Sequence, residues 1–119
     1  MATLSLPGTD RKLSPYTTGE PIRFPSKEEI ASFNRVAFAA AHVVADPLAN
    51  NDPWVDSAID WDRTIAFRHY LWDLGLGVAE AMDTAQRGMG LDWNGAKELI
   101  RRSLDAAKSR PGALIASGA

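Results

Sequence analysis

Val78-Ala79-Glu80-Ala81-Met82, then the turn-rich Asp83-Thr84-Ala85-Gln86-Arg87-Gly88-Met89-Gly90, then a charged run over 92–108, and last Gly112-Ala113-Leu114-Ile115-Ala116-Ser117-Gly118-Ala119: this order decides the fold. A short apolar run, a glycine-rich turn, a helical pattern and a second apolar run read as strand, loop, helix and strand. That is a βαβ unit, and the fold is expected to continue past its second strand.

Asp92 caps the helix expected over 92–108. Its buried stripe is Trp93, Ala96, Leu99, Ile100, Leu104 and Ala107, with Lys97, Glu98, Arg101, Arg102, Asp105 and Lys108 outside and Pro111-Gly112 as the stop. Upstream, Asp60 caps a helix whose Thr64, Phe67, Leu71 and Leu74 share one face, ended by Gly75 and Gly77. Val36-Ala37-Phe38-Ala39-Ala40-Ala41-His42-Val43-Val44-Ala45 suits a buried strand or a buried helix. Its alanines favour helix, its valines and phenylalanine favour strand, and the order of the following elements tips the reading to strand.

At the start, alternation over 3–6, a turn over 7–10 and resumption over 12–14 predict a β-hairpin. Pro15, Gly19, Pro21 and Pro25 predict a linker, and Ser26 with Glu29 has the form of a capping box before a short helix. Residues 1–34 thus form a hairpin, linker and short helix, and residues 35–119 the β/α units.

The sequence of strand at 36, helix at 60, strand at 78, helix at 92 and strand at 113 has a geometric consequence. With strands side by side in that order, right-handed crossovers put both helices on one face, and the other face is bare. All-parallel sheets are covered on both faces. Further barrel or a second subunit would supply the cover.

Composition narrows the function. The net charge is −2 with Lys and Arg scattered singly, which argues against a nucleic-acid or anionic-membrane surface. There are no cysteines, so no disulfide framework or thiolate site exists. The first residues, Met1 to Pro7, lack the basic start and apolar run of a signal peptide, and no apolar run reaches the roughly 20 residues of a membrane span, so a cytoplasmic protein is expected.

Several runs resemble a known family: Phe33-Asn34-Arg35-Val36-Ala37, Asp46-Pro47-Leu48, Ala58-Ile59-Asp60-Trp61, Leu74 through Gly88 and Ser117-Gly118-Ala119. They are similar to the start of a bacterial family of unknown function classed with dihydrodipicolinate synthase-like barrels of the class I aldolase superfamily. The resemblance implies an α/β fold: a partial (β/α)8 TIM barrel of about three strands and two crossover helices, preceded by the hairpin and truncated after the third strand. In the superfamily the second strand ends in Gly-Thr-Thr-Gly-Glu, where Met82-Asp83-Thr84-Ala85-Gln86 stands here. Only Thr84 matches that chemistry, and an ionised Asp83 would repel a substrate carboxylate. The Schiff-base lysine implied by the superfamily lies beyond residue 119.

In such barrels the site lies at the C-terminal ends of the strands. Glu80, Asp83, Thr84 and Gln86 would position hydroxyl or carbonyl oxygens, with His42 and Asp46 on the opposite wall. Glu80 is the sharpest candidate, because a carboxylate inside an apolar strand is costly unless paired or liganded. It faces either the barrel interior or a helix lysine or arginine. Asp83 and Thr84 also suit plain turn chemistry, and His42 suits a satisfied core histidine. No cofactor is expected; His42, Glu80 and Asp83 have types that suit a divalent metal, with a spacing that is not diagnostic. Gln86-Arg87-Gly88-Met89-Gly90 is cationic enough for a phosphate or carboxylate but lacks a nucleotide-loop spacing. His69 and the four tryptophans read as packing residues.

The expected function is therefore the N-terminal part of an aldolase-like lyase acting on a small oxygenated substrate, sugar-derived or keto, and inactive alone. The alternative is a non-catalytic interaction module whose bare sheet face is covered by self-association or a partner chain. A third reading makes residues 28–45 one helix in an all-helical domain.

Overall fold

The computed structural model describes residues 1–24, 26, 29 and 34–118. Strands β1 (Thr3–Pro7) and β2 (Leu13–Thr17) form an antiparallel hairpin. Strands β3 (Phe38–Ala40), β4 (Gly77–Glu80) and β5 (Ile115–Ser117) form a parallel sheet in that order. Helix α1 (Trp61–Asp73) connects β3 to β4, and α2 (Trp93–Lys108) connects β4 to β5. The chain is mixed α/β.

The hairpin runs longer than its alternation indicated. Pro15, expected in the linker, lies in β2 opposite Ser5. A two-stranded ribbon has an open edge on each side, so a proline there need not remove a ladder bond. Ser26 and Glu29 carry out half of the expected capping box, the Ser26 N–H donating to the Glu29 carboxylate at 2.8 Å; the rest of that short helix lies outside the described residues.

Only the centre of the apolar run becomes strand. Phe38, Ala39 and Ala40 pair in parallel with Gly77, Val78 and Ala79, which overturns a single helix over 28–45. After Ala41 the chain leaves the sheet into a long loop closed at its base, where Asp46 N–H donates to Ala58 O and Asp60 N–H to Val44 O.

Both helices start at aspartate caps. The Asp60 carboxylate accepts from Arg63 N–H at 3.0 Å and that of Asp92 from Gly95 N–H at 2.6 Å, each satisfying a donor that the first helical turn leaves without a carbonyl. The helices pack on one face of the sheet. Val78, Leu71, Trp72 and Ala41 form one buried cluster, and Leu99, Leu91, Ala81, Ala85 and Ala96 the other; burying a leucine such as Leu99 contributes about 1.5–3 kcal/mol.

The stripe on α2 is corrected at three positions: Trp93 and Leu104, expected inside, are exposed, and Ser103 is buried. The buried line runs through Ala96, Leu99 and Ser103, because β4 presents a polar group opposite its middle. On α1, Arg68 and Trp72 are buried beside the expected Thr64 and Leu71. Trp72 Nε1 donates to Leu114 O at 3.2 Å, tying α1 to the approach to β5. Alternation puts Phe38, Ala40, Gly77, Ala79 and Ala116 on the other face, where the Phe38 ring lies over Gly77 so closely that a Cβ there would meet it at 2.6 Å.

Candidate functional site

The last residue of β4 anchors the site from behind. Glu80 is fully buried and points into the helix layer, where Arg68 of α1 grips it as a fork: Nε to Oε2 at 2.9 Å and Nη2 to Oε1 at 2.8 Å. Ser103 of α2 donates its hydroxyl to Oε2 at 2.6 Å, and Ala81 N–H donates to Oε1 at 3.0 Å. Arg68 spends Nη1 on His42 O at 2.5 Å and Thr64 O at 3.1 Å. Two buried charges are tolerated only when Coulomb attraction and a full set of hydrogen bonds offset their desolvation, and this cluster supplies both. Of the two orientations open to Glu80, the structure has the helix-facing one. The expectation that it lines a substrate wall is corrected: both its oxygens are engaged inside the helix layer.

That cluster sets the path of the chain beyond β4. Ala81 has φ 54° and Gln86 φ 56°, a left-handed conformation that costs a non-glycine residue about 1–2 kcal/mol. Between them lies a short 3-10 helix, Asp83–Ala85. The bond from Ala81 N–H to the Glu80 carboxylate holds the first of these turns, so the chain swings sharply off the end of β4 and carries residues 82–87 across the strand ends. Backbone held in such a conformation is concentrated at functional sites.

The result is an open cleft of about 410 Å³ lined by Ala40, Met82, Asp83, Thr84, Arg87 and Gly118. It lies at the C-terminal ends of β3, β4 and β5. Arg87 is half-buried and donates Nη1 to Gly118 O at 2.8 Å. The Asp83 and Thr84 side chains are exposed and make no hydrogen bond to another described residue, and Arg87 makes no ion pair with one.

The six residues singled out from the sequence are thus divided. Asp83 and Thr84 share this cleft. Gln86 and Asp46 share a neighbouring cavity of about 250 Å³, together with Asn51, Asp56 and Ser57. His42 is exposed, its ring 4.5 Å from that of Phe67 on α1, and its contribution to the buried cluster is a backbone carbonyl. Glu80 lies behind the sheet. The metal set of His42, Glu80 and Asp83 is not assembled, and no group of three or more His, Asp or Glu that could hold a metal is found among the described residues.

Arg68 and Ser103 were missed. The available signal was an arginine four residues after Thr64 on the buried face of α1, a charge where the pattern calls for an apolar residue. Its natural partner was the one carboxylate inside an apolar strand. His69 packs edge-on against Trp72 at 5.3 Å, and Arg102 lies over the Trp61 ring at 4.6 Å, as packing residues do. Trp54, in contrast, is almost fully exposed.

Fold and cleft define an α/β protein with an open cleft at the C-terminal edge of a parallel sheet whose helices cover one face. The chain belongs to the family described as Protein of unknown function (DUF993), whose pattern matches residues 4–119. No curated protein matches the chain. No helix among the described residues is long and apolar enough to cross a membrane.

Proposed function

We propose that this chain is the first part of a (β/α)8 barrel related to dihydrodipicolinate synthase and the class I aldolases, and that its strand-end cleft binds the oxygens of a small hydroxylated or keto substrate during carbon–carbon lyase chemistry. The observation that carries this reading is the convergence of Asp83, Thr84 and Arg87 at the ends of three adjacent parallel strands, each without a side-chain partner of opposite charge or a hydroxyl contact among the described residues. The C-terminal edge is where α/β barrels do their chemistry. Helices on one face with strands in sequential order suit the same architecture, whose inner wall would be the face of Phe38, Ala40 and Ala79.

In this reading the chain's share of the work is to bind and orient. Thr84 offers a hydroxyl that donates or accepts, Asp83 accepts from a substrate hydroxyl, and Gln86 and Asp46 extend the site into the adjoining cavity. The imine-forming lysine implied by the aldolase resemblance would belong to later strands. The test is cleavage of a panel of small hydroxy-keto acids by the full-length protein. Thr84→Val removes one hydrogen bond worth about 1–1.5 kcal/mol and lowers kcat/KM about tenfold, while Thr84→Ser retains activity. Absence of cleavage across the panel, or turnover indifferent to Thr84→Val, refutes the reading.

The uncovered apolar face of β3, β4 and β5 favours a second reading, a non-catalytic module covered by a second copy or a partner chain. It predicts association that survives Asp83→Asn and Thr84→Val, with no turnover in either form.

A further inference from the structure

We infer that Arg87 is the anion anchor of the strand-end cleft, and that its ligand carries an anionic oxygen group beside a hydroxyl, as in a hydroxycarboxylate or a phosphorylated polyol. This rests on the cleft's being the binding site proposed above, and it fixes the polarity of the ligand there.

Three observations carry it. Arg87 is held in place by the chain itself, since Nη1 donates to the Gly118 carbonyl at 2.8 Å. One side of the guanidinium is thereby spent on backbone and its direction is set, so little side-chain freedom remains to be lost when a ligand binds. The second observation is that Gly118 puts no side chain beside the other edge. A Cβ at that position would lie 3.7 Å from Arg87 Nη2 and 3.4 Å from Met82 Cγ, so any side chain there would fill the space beside the guanidinium. The third is that Asp83, in the same cleft, makes no ion pair with Arg87. Elsewhere on the surface Arg101 and Arg102 meet the Glu98 carboxylate at 2.7 and 2.6 Å. The cleft keeps a cation and an anion apart.

That separation answers the objection that Asp83 repels an acidic substrate. A ligand with its charge at Arg87 and its hydroxyl at Asp83 and Thr84 meets a forked donor at one end and acceptors at the other. An arginine binds carboxylate and phosphate oxygens through charge-assisted bonds about twice as strong as neutral ones. A neutral polyol would gain only the Asp83 and Thr84 half, and a simple carboxylate only the Arg87 half.

The experiment is ligand-observed NMR titration of the full-length protein with glycerate, glycerol 1-phosphate and glycerol. At least one of the two anionic probes binds tenfold or more tighter than glycerol, and which one does separates a carboxylate from a phosphate site. Arg87→Gln abolishes that preference. Arg87→Lys keeps the charge without the fork and weakens the anionic probe about three- to tenfold, which decides the matter if Arg87→Gln does not fold. Equal binding of neutral and anionic probes, a preference that survives Arg87→Gln, unchanged affinity in Arg87→Lys, or failure to bind any probe each overturns the anchor. The aldolase reading has its own readout: cleavage of the hydroxy-keto acids with sensitivity to Thr84→Val keeps it standing even when the anchor falls.

Discussion

Replacing Arg68 by methionine removes one half of a fully buried ion pair while keeping most of the volume. The structure sets the scale of the effect. Glu80 loses two charge-assisted bonds, of 2.9 and 2.8 Å, and keeps only the Ser103 hydroxyl and Ala81 N–H. His42 O and Thr64 O each lose a donor as well. Stranding one charge of a buried pair costs about 3–5 kcal/mol, a large share of the roughly 5–15 kcal/mol that holds an ordinary domain together. Urea unfolding followed by tryptophan fluorescence is the assay, with the buried Trp72 one helical turn from the substitution as reporter. The double variant Arg68→Met, Glu80→Met leaves no charge behind. It leaves the Ser103 hydroxyl, Ala81 N–H and His42 O without their partners but strands no charge, and because replacing a whole buried pair by apolar groups is often close to neutral it is less harmful than the single change. An Arg68→Met variant within 1 kcal/mol of the native protein, or a double variant whose loss is the plain sum of the Arg68→Met and Glu80→Met losses, would refute the coupling of this pair.

Three further outcomes rest on local geometry. Gln86→Gly relieves a left-handed residue on an exposed turn and raises stability by about 0.5–1 kcal/mol in the same unfolding assay, after the greater freedom of glycine in the unfolded chain is deducted. Asp92→Ala removes the cap on Gly95 N–H and lowers stability by about 1 kcal/mol, whereas Asp92→Asn keeps most of it. On the outer face of α2, hydrogen bonds from Arg101 and then Arg102 hold the Glu98 carboxyl down at about 2, against an ordinary 4.5. A lowered folded-state value means stability that is present above about 4.5 and is lost as the pH falls from there towards 2. Thermal melts across that window show this loss in the native protein and a smaller one in Glu98→Gln.

How much could be read from residues alone depends on how locally each feature is determined. The caps at Asp60 and Asp92, the strand around Val78 and the parallel order all rest on short-range patterns, and they emerged with shifts of a residue or two. Strand β3 shrank to three residues because an apolar run reports burial rather than hydrogen-bond partners, and the pairing depends on where β4 lies. The orientation of Glu80 was undecidable from alternation, since alternation assigns it to the side of Val78 without saying which side holds the helices. Only Arg68, placed across a tertiary contact, resolves it. That contact also decides the sign of a substitution, because removing an unpaired buried carboxylate helps stability and removing this paired one harms it. Arg87 was visible only as a weak cationic loop, and its position became informative through a carbonyl more than thirty residues away.

Whether the ends of β3, β4 and β5 form the ligand site is decided by crystals of the full-length protein soaked with small hydroxy and keto acids. The expected result is a ligand between Met82 and Gly118, with oxygens within hydrogen-bond distance of Thr84, Asp83 and Arg87. A ligand held only elsewhere on the molecule, with this cleft left to solvent, would contradict it.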